Sequence, residues 1–159
     1  MVRYRNAVSV VEMDDSDLCG YGWKIALDEP TTAVRFVRGN KMKTLDMLFD
    51  EFSAACQFPY YFGQNYAAFA ECLGDLDWLN ASRFVLIISK FAELLADEPV
   101  ELVAFGRSLA AGIDEYNKSR RNAETTESFF RVVVNSVRLD DPGRQQFFAE
   151  LTLCADGGA

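Results

Sequence analysis

Apolar positions along the chain recur with two different periods. Leu45, Leu48, Phe49, Phe52 and Cys56 fall at i, i+3, i+4, i+7 and i+11, the stripe of an amphipathic helix. Thr44 suits its N-cap, Asp46 places negative charge in its first turn, and Pro59 stops it. A shorter helix should open at Asn65 and close at Gly74, a suitable C′ residue, with Phe69, Cys72, Leu73 and Leu76 inward. The spacing predicts a longest helix over residues 98–120, with Leu102, Gly106, Leu109, Ile113 and Tyr116 on one face. Between these lie β-branched runs. Residues 33–37 run into Arg38-Gly39-Asn40, a strand followed by a turn. Residues 83–89 are continuously apolar, short enough for a strand buried on both faces, which points to a parallel sheet. Residues 129–134 read as a further strand.

The two ends are less regular. Apolar runs at 8–13 and 23–27 flank an acidic, turn-rich stretch at 14–22, which suggests a β-hairpin or an added edge strand. Near the C-terminus Phe147, Ala149, Leu151 and Leu153 alternate with Phe148, Glu150, Thr152 and Cys154, the period of a half-buried edge strand. The order of elements demands α/β layering, with helices crossing over between parallel strands. The expectation is one domain over 159 residues: a small parallel β-sheet packed against helices, with extra strands from both ends.

Charge narrows the choice of partner. Sixteen Lys and Arg against 24 Asp and Glu give a formal charge of −8, which repels nucleic acid and anionic membrane and favours a basic partner or none. The chain has no histidine, so the commonest general base, the Ser-His and Cys-His pairs and the usual imidazole metal ligand are excluded. Cys19, Cys56, Cys72 and Cys154 are widely spread without metal-type spacing, and are expected to be reduced core residues. Asp14-Asp15-x-Asp17 lacks the glycine and the terminal glutamate of a calcium loop and reads as a solvated turn. No phosphate-cradling glycine motif or nucleophile elbow occurs. MVRYRNAVSV lacks a signal-type apolar region, and no run is long enough to span a membrane. A cytoplasmic protein without cofactor or metal is the expectation.

The densest information lies in residues 58–79. Four aromatics, Tyr60, Tyr61, Phe62 and Tyr66, fall within seven residues of an expected loop containing Gly63. They plug the core or form a contact surface. The following helix carries a second face, Ala67, Ala70, Glu71 and Gly74, opposite its apolar set: small side chains around one carboxylate. Such a face suits insertion into a concave basic site; spacing alone favours the plainer reading, in which alanine is the best exposed helix former and Glu71 a solvated acid. Asp75 and Asp77 extend the acidic cluster or simply suit a hydrated turn, and Trp78 reads as a core anchor.

The run Phe58-Pro-x-Tyr-Phe-Gly-x-Asn65, the short helix, Asp75-Leu-x-Trp78-Leu79 and the apolar strand from Phe84 to Ile88 resemble the barstar-like proteins, intracellular inhibitors of barnase-type ribonucleases. The resemblance covers residues 33–136 and leaves 1–32 and 137–159 as extensions. It implies a parallel sheet packed on helices and no catalysis. In that family the second helix and the preceding loop enter the ribonuclease active site, where acids substitute for substrate phosphates. The resemblance thus implies a contact loop of Tyr61, Phe62, Gly63, Gln64 and Asn65, and a helix face of Tyr66, Ala67, Ala70, Glu71 and Gly74, with Asp75 beyond. Glu71 stands where the family has its principal aspartate. Ala67 stands where the family has its other aspartate on this helix, and Ala70 replaces the aromatic found before the principal acid in the type member. The family also uses acids late in the long helix, the region of Asp114 and Glu115.

The reading is therefore an acidic inhibitor, or immunity protein, that occludes the basic active site of a ribonuclease toxin. The alternative is a non-catalytic interaction module of the same fold that binds another partner or itself, although a homo-oligomer is not the expectation. A histidine-free enzyme using Glu71 with Tyr61 or Tyr66 would need a pocket, which a smooth surface helix does not offer.

Overall fold

The computed structural model describes residues 7–120, 128–135 and 141–156. The chain runs β1 (Val8–Val11), α1 (Asp15–Asp28), β2 (Thr32–Arg38), α2 (Leu45–Cys56), α3 (Tyr66–Asp75), β3 (Arg83–Ser89), α4 (Leu102–Arg120), β4 (Phe130–Asn135) and α5 (Pro142–Asp156). Among the described residues the four strands form one sheet in the order β1-β4-β3-β2, every pair parallel. This is the α/β parallel-sheet architecture expected from the run of periods.

Alternation along the central strands builds two cores. Phe84, Leu86 and Ile88 of β3 and Phe130, Val132 and Val134 of β4 face the larger core with the buried faces of α2, α3, α4 and α5. Val85, Ile87 and Val133 point the other way, against Leu18 and Ile25 of α1. A strand covered on both faces must be apolar throughout, which is why residues 84–88 show no polar alternation.

The two extensions differ from their sequence-based expectation. Residues 8–11 do add an edge strand, paired with β4, but 14–28 form no hairpin. Asp14 is an N-cap whose side chain accepts from the Asp17 amide at 2.8 Å, with Asp15 and Asp17 in the first turn. The acids that resemble a turn are the start of a helix, where the macrodipole favours them. At the other end α5 replaces the expected edge strand. Asp141 caps it, accepting from the Gly143 amide, and Pro142 occupies its first position, where a proline's missing N–H costs nothing. Buried Phe147 and Leu151 are one helical turn apart, a spacing that satisfies both the strand and the helix period over so short a window.

The end of β2 is tied to α2 by a two-pronged ion pair: Arg38 donates from Nε and Nη2 to the two Glu51 carboxylate oxygens at 2.7 and 3.0 Å. These hydrogen bonds hold the Glu51 carboxyl below its usual range despite partial burial. A carboxyl whose folded pKa is depressed adds stability above its unfolded pKa and loses it as pH falls through the folded one. Urea unfolding should therefore show a larger penalty for Glu51→Gln at neutral pH than in acid, where the unfolded carboxyl is protonated and the folded one follows as pH falls further. An equal penalty at both pH values would mean that the ion pair contributes nothing.

Candidate functional site

The segment between α2 and α3 is held from beneath. Phe62 is half-buried, its ring edge-on to Phe49 at 5.7 Å and to Phe58 at 5.0 Å. Trp78 anchors the far end of α3, donating from Nε1 to the Cys56 carbonyl at 2.9 Å. Around this support the loop turns outward. Tyr61 is 68% exposed, and Gly63, Gln64 and Asn65 are exposed as well. Gln64 takes positive φ and donates to Asp50 of α2 at 2.8 Å. Asn65 caps α3 as expected, accepting from the Ala68 amide at 2.9 Å. The aromatic cluster is thus divided between the two readings: Phe62 plugs the core and Tyr60 and Tyr61 face solvent.

On α3 itself, Ala67, Glu71 and Asp75 are exposed and Ala70 is half-buried. Among the described residues no cation pairs with the Glu71, Asp75 or Glu115 carboxylate. Three residues expected on the contact surface are placed otherwise. Gly74 lies inside the helix, which continues to Asp75 and ends on Leu76 in the left-handed conformation; it is buried, and a Cβ there would come within 2.9 Å of Glu115 Cβ. It serves the close approach of α3 to α4. Tyr66 is turned back toward the start of α4, its hydroxyl donating to Glu101 Oε2 at 2.6 Å; burial and that carboxylate push its phenol well above the usual range. Asp114 is largely covered and pairs with Lys118 at 2.8 Å, whereas its neighbour Glu115 is exposed.

Nor is the outer surface smooth. A groove of about 1350 Å³ runs between α3, α4 and the amino ends of β2 and β3. Ala70, Gly74 and Ala111 leave it open; Glu71, Asp75, Asp77 and Glu115 line it with four carboxylates. Among the described residues Arg120 is the cation on its wall, donating from Nη2 to the Asp75 carbonyl at 2.8 Å and to Asp77 Oδ1 at 2.9 Å, with its Cζ 3.6 Å from the Tyr116 ring centre. The residues around it include neither Tyr61 nor Tyr66. Sequence reasoning missed this groove. Its trace was small residues in register on two helices, Ala70 and Gly74 facing Ala111 and Gly112, legible only once those helices are known to pack together.

Two cysteines behave as core residues: burial pushes Cys56 up to about 12 and raises Cys72, so both are poor nucleophiles. Cys19 differs from expectation, being exposed on α1. Cys154 lies outside the residues whose side chains are described.

The site depends on how closely α3 approaches α4. A Cβ on Gly112 would fall 2.7 Å from Leu73 Cβ, an atom that cannot move without the helix. Gly112→Ala is expected to destabilise the fold by about 1–3 kcal/mol, although alanine gains about 1 kcal/mol in helix preference. Denaturant unfolding measures it, and a stabilised variant would show that the two helices are not in contact there.

Comparison with known proteins bears on the same region. No curated protein matches the chain significantly. The family model described as Barstar (barnase inhibitor) matches residues 32–136, the stretch that begins with β2, carries the exposed loop, α3 and the groove, and ends at β4. On that match, over most of its length, the chain belongs to the barstar family.

Proposed function

We propose that this protein is a non-catalytic inhibitor that occludes the active site of a barnase-type ribonuclease toxin, acting as its cytoplasmic immunity protein. The observation that carries this reading is the Glu71 carboxylate on the exposed face of α3, which pairs with no cation among the described residues, together with the exposed Tyr61 on the braced loop that precedes the helix. A ribonuclease cleft that binds phosphate is cationic, and a carboxylate held without an internal cation can replace the phosphate there. Asp75 and Glu115 add negative charge along the same groove. With Ala67 and Ala70 small, the α3 face leaves room for bulkier partner side chains than a face bearing an acid and an aromatic would.

The chain's net charge of −8 should steer a basic partner toward it. RNA cleavage by the cognate ribonuclease should fall to zero at one equivalent of inhibitor, and the association rate should drop steeply as salt is raised. Undiminished cleavage at several equivalents would refute the proposal.

A further inference from the structure

The outer face of α1 lies on the opposite side of the sheet from α3, and the family match, which begins at residue 32, excludes it. Leu18, Gly22 and Ile25 face the sheet. Diametrically opposite, Ser16, Gly20, Trp23 and Leu27 recur at i, i+4, i+7 and i+11. Trp23 is 63% exposed and Leu27 81%, whereas a Cβ at Gly20 would meet nothing within 4 Å. Large apolar side chains thus project from one half of the face and the other half is hollow. One flank carries Asp17 and Lys24, seven residues apart and both exposed, and among the described residues neither has an ion-pair partner.

We propose that this face binds a second copy of the chain as an antiparallel helix pair. A twofold axis crossing the helix between Gly20 and Trp23 lays Trp23 on the second copy's Gly20 and Leu27 on its Ser16, so that each projection meets a hollow. The same axis keeps the charged flank on one side and brings Lys24 to the second copy's Asp17, twice over. A parallel pair would set Trp23 against Trp23 and send the two charged flanks to opposite sides of the seam, where Lys24 does not meet Asp17. A basic protein is the weaker candidate for this face, because its charges are of both signs and match themselves, whereas the α3 groove carries four carboxylates and is predominantly acidic. A 14-residue helix is about 21 Å long, so the contact is small and the dimer micromolar rather than tight.

Sedimentation velocity of the full chain, from micromolar to sub-millimolar concentration, tests this, with circular dichroism confirming that each variant is folded. The wild type should show a monomer–dimer equilibrium. Trp23→Glu and Gly20→Arg, both on open surface, should each weaken it about tenfold or more. Asp17→Lys and Lys24→Asp should each weaken it, and the double exchange should restore it. A bismaleimide should join two wild-type chains through Cys19, which flanks the same stripe, and fail with Cys19→Ser. A monomeric wild type would overturn the proposal and leave the face to another partner or to solvent. A dimer indifferent to Trp23→Glu and Gly20→Arg, or a charge exchange that fails to restore it, would overturn it too. Trp23→Glu should leave ribonuclease inhibition intact, so failure here is distinguishable from failure of the inhibitor reading.

Discussion

Phe69→Ala should cost about 3–5 kcal/mol of folding stability, the largest single-residue effect expected in this chain. Phe69 is fully buried and belongs to the helix that presents Glu71. Its ring meets Phe52 edge-on at 4.9 Å and lies 5.8 Å from both Phe49 and Phe105, so it joins α2, α3 and α4 at one point. Truncation removes apolar area and leaves a cavity whose aromatic walls cannot close in. Against a total of about 5–15 kcal/mol for a domain, such a loss moves the protein close to its unfolding threshold. Phe69→Leu keeps most of the volume and should cost roughly 1.5 kcal/mol or less. Urea unfolding of the two variants measures both. A loss below about 1 kcal/mol for the alanine variant would mean that α3 is not fastened through this ring.

The second large effect concerns binding. Glu71→Ala should weaken the ribonuclease complex by about 2 kcal/mol or more, seen chiefly as faster dissociation. Removing the carboxylate leaves the partner's cation buried without a counter-charge, which costs more than the lost attraction alone. Asp114→Ala is the matched control. Asp114 lies on α4 rather than α3 and does not line the groove, and its carboxylate is already engaged by Lys118, so affinity should be unchanged within about 0.5 kcal/mol. Surface-plasmon kinetics at fixed salt separates the two rates. Equal dissociation rates for wild type and Glu71→Ala would remove Glu71 from the interface.

The central elements are legible in the sequence because their periods are unambiguous. Five positions at helical spacing define α2, and an apolar run too short for a helix defines β3. Helix α1 is hidden because Gly20 and Gly22, usual marks of a turn, lie within it. Gly22 is there for packing: a Cβ would come 2.4 Å from the Phe36 ring, so the glycine lets α1 settle on the sheet. Helix α5 is hidden because Phe147 and Leu151 fit either period; the Asp141-Pro142 pair at its start is the signal that decides between them. The candidate site is half legible. Asn65 as cap and Glu71 as an outward acid follow from position along α3 alone. The placing of Tyr66 against Glu101, of Gly74 beneath Glu115 and of Arg120 beside Asp77 depends on α4, and no local pattern in α3 encodes its neighbour.

The account rests on α3 and its loop entering a catalytic cleft rather than docking elsewhere on the ribonuclease. Competition measures this directly. A mononucleotide inhibitor bound in the ribonuclease active site should slow association of this protein in proportion to its occupancy, and Glu71→Ala should weaken binding less when the nucleotide is present. Association that is unaffected by a saturating nucleotide, with a ternary complex of nucleotide, ribonuclease and this protein, would contradict it.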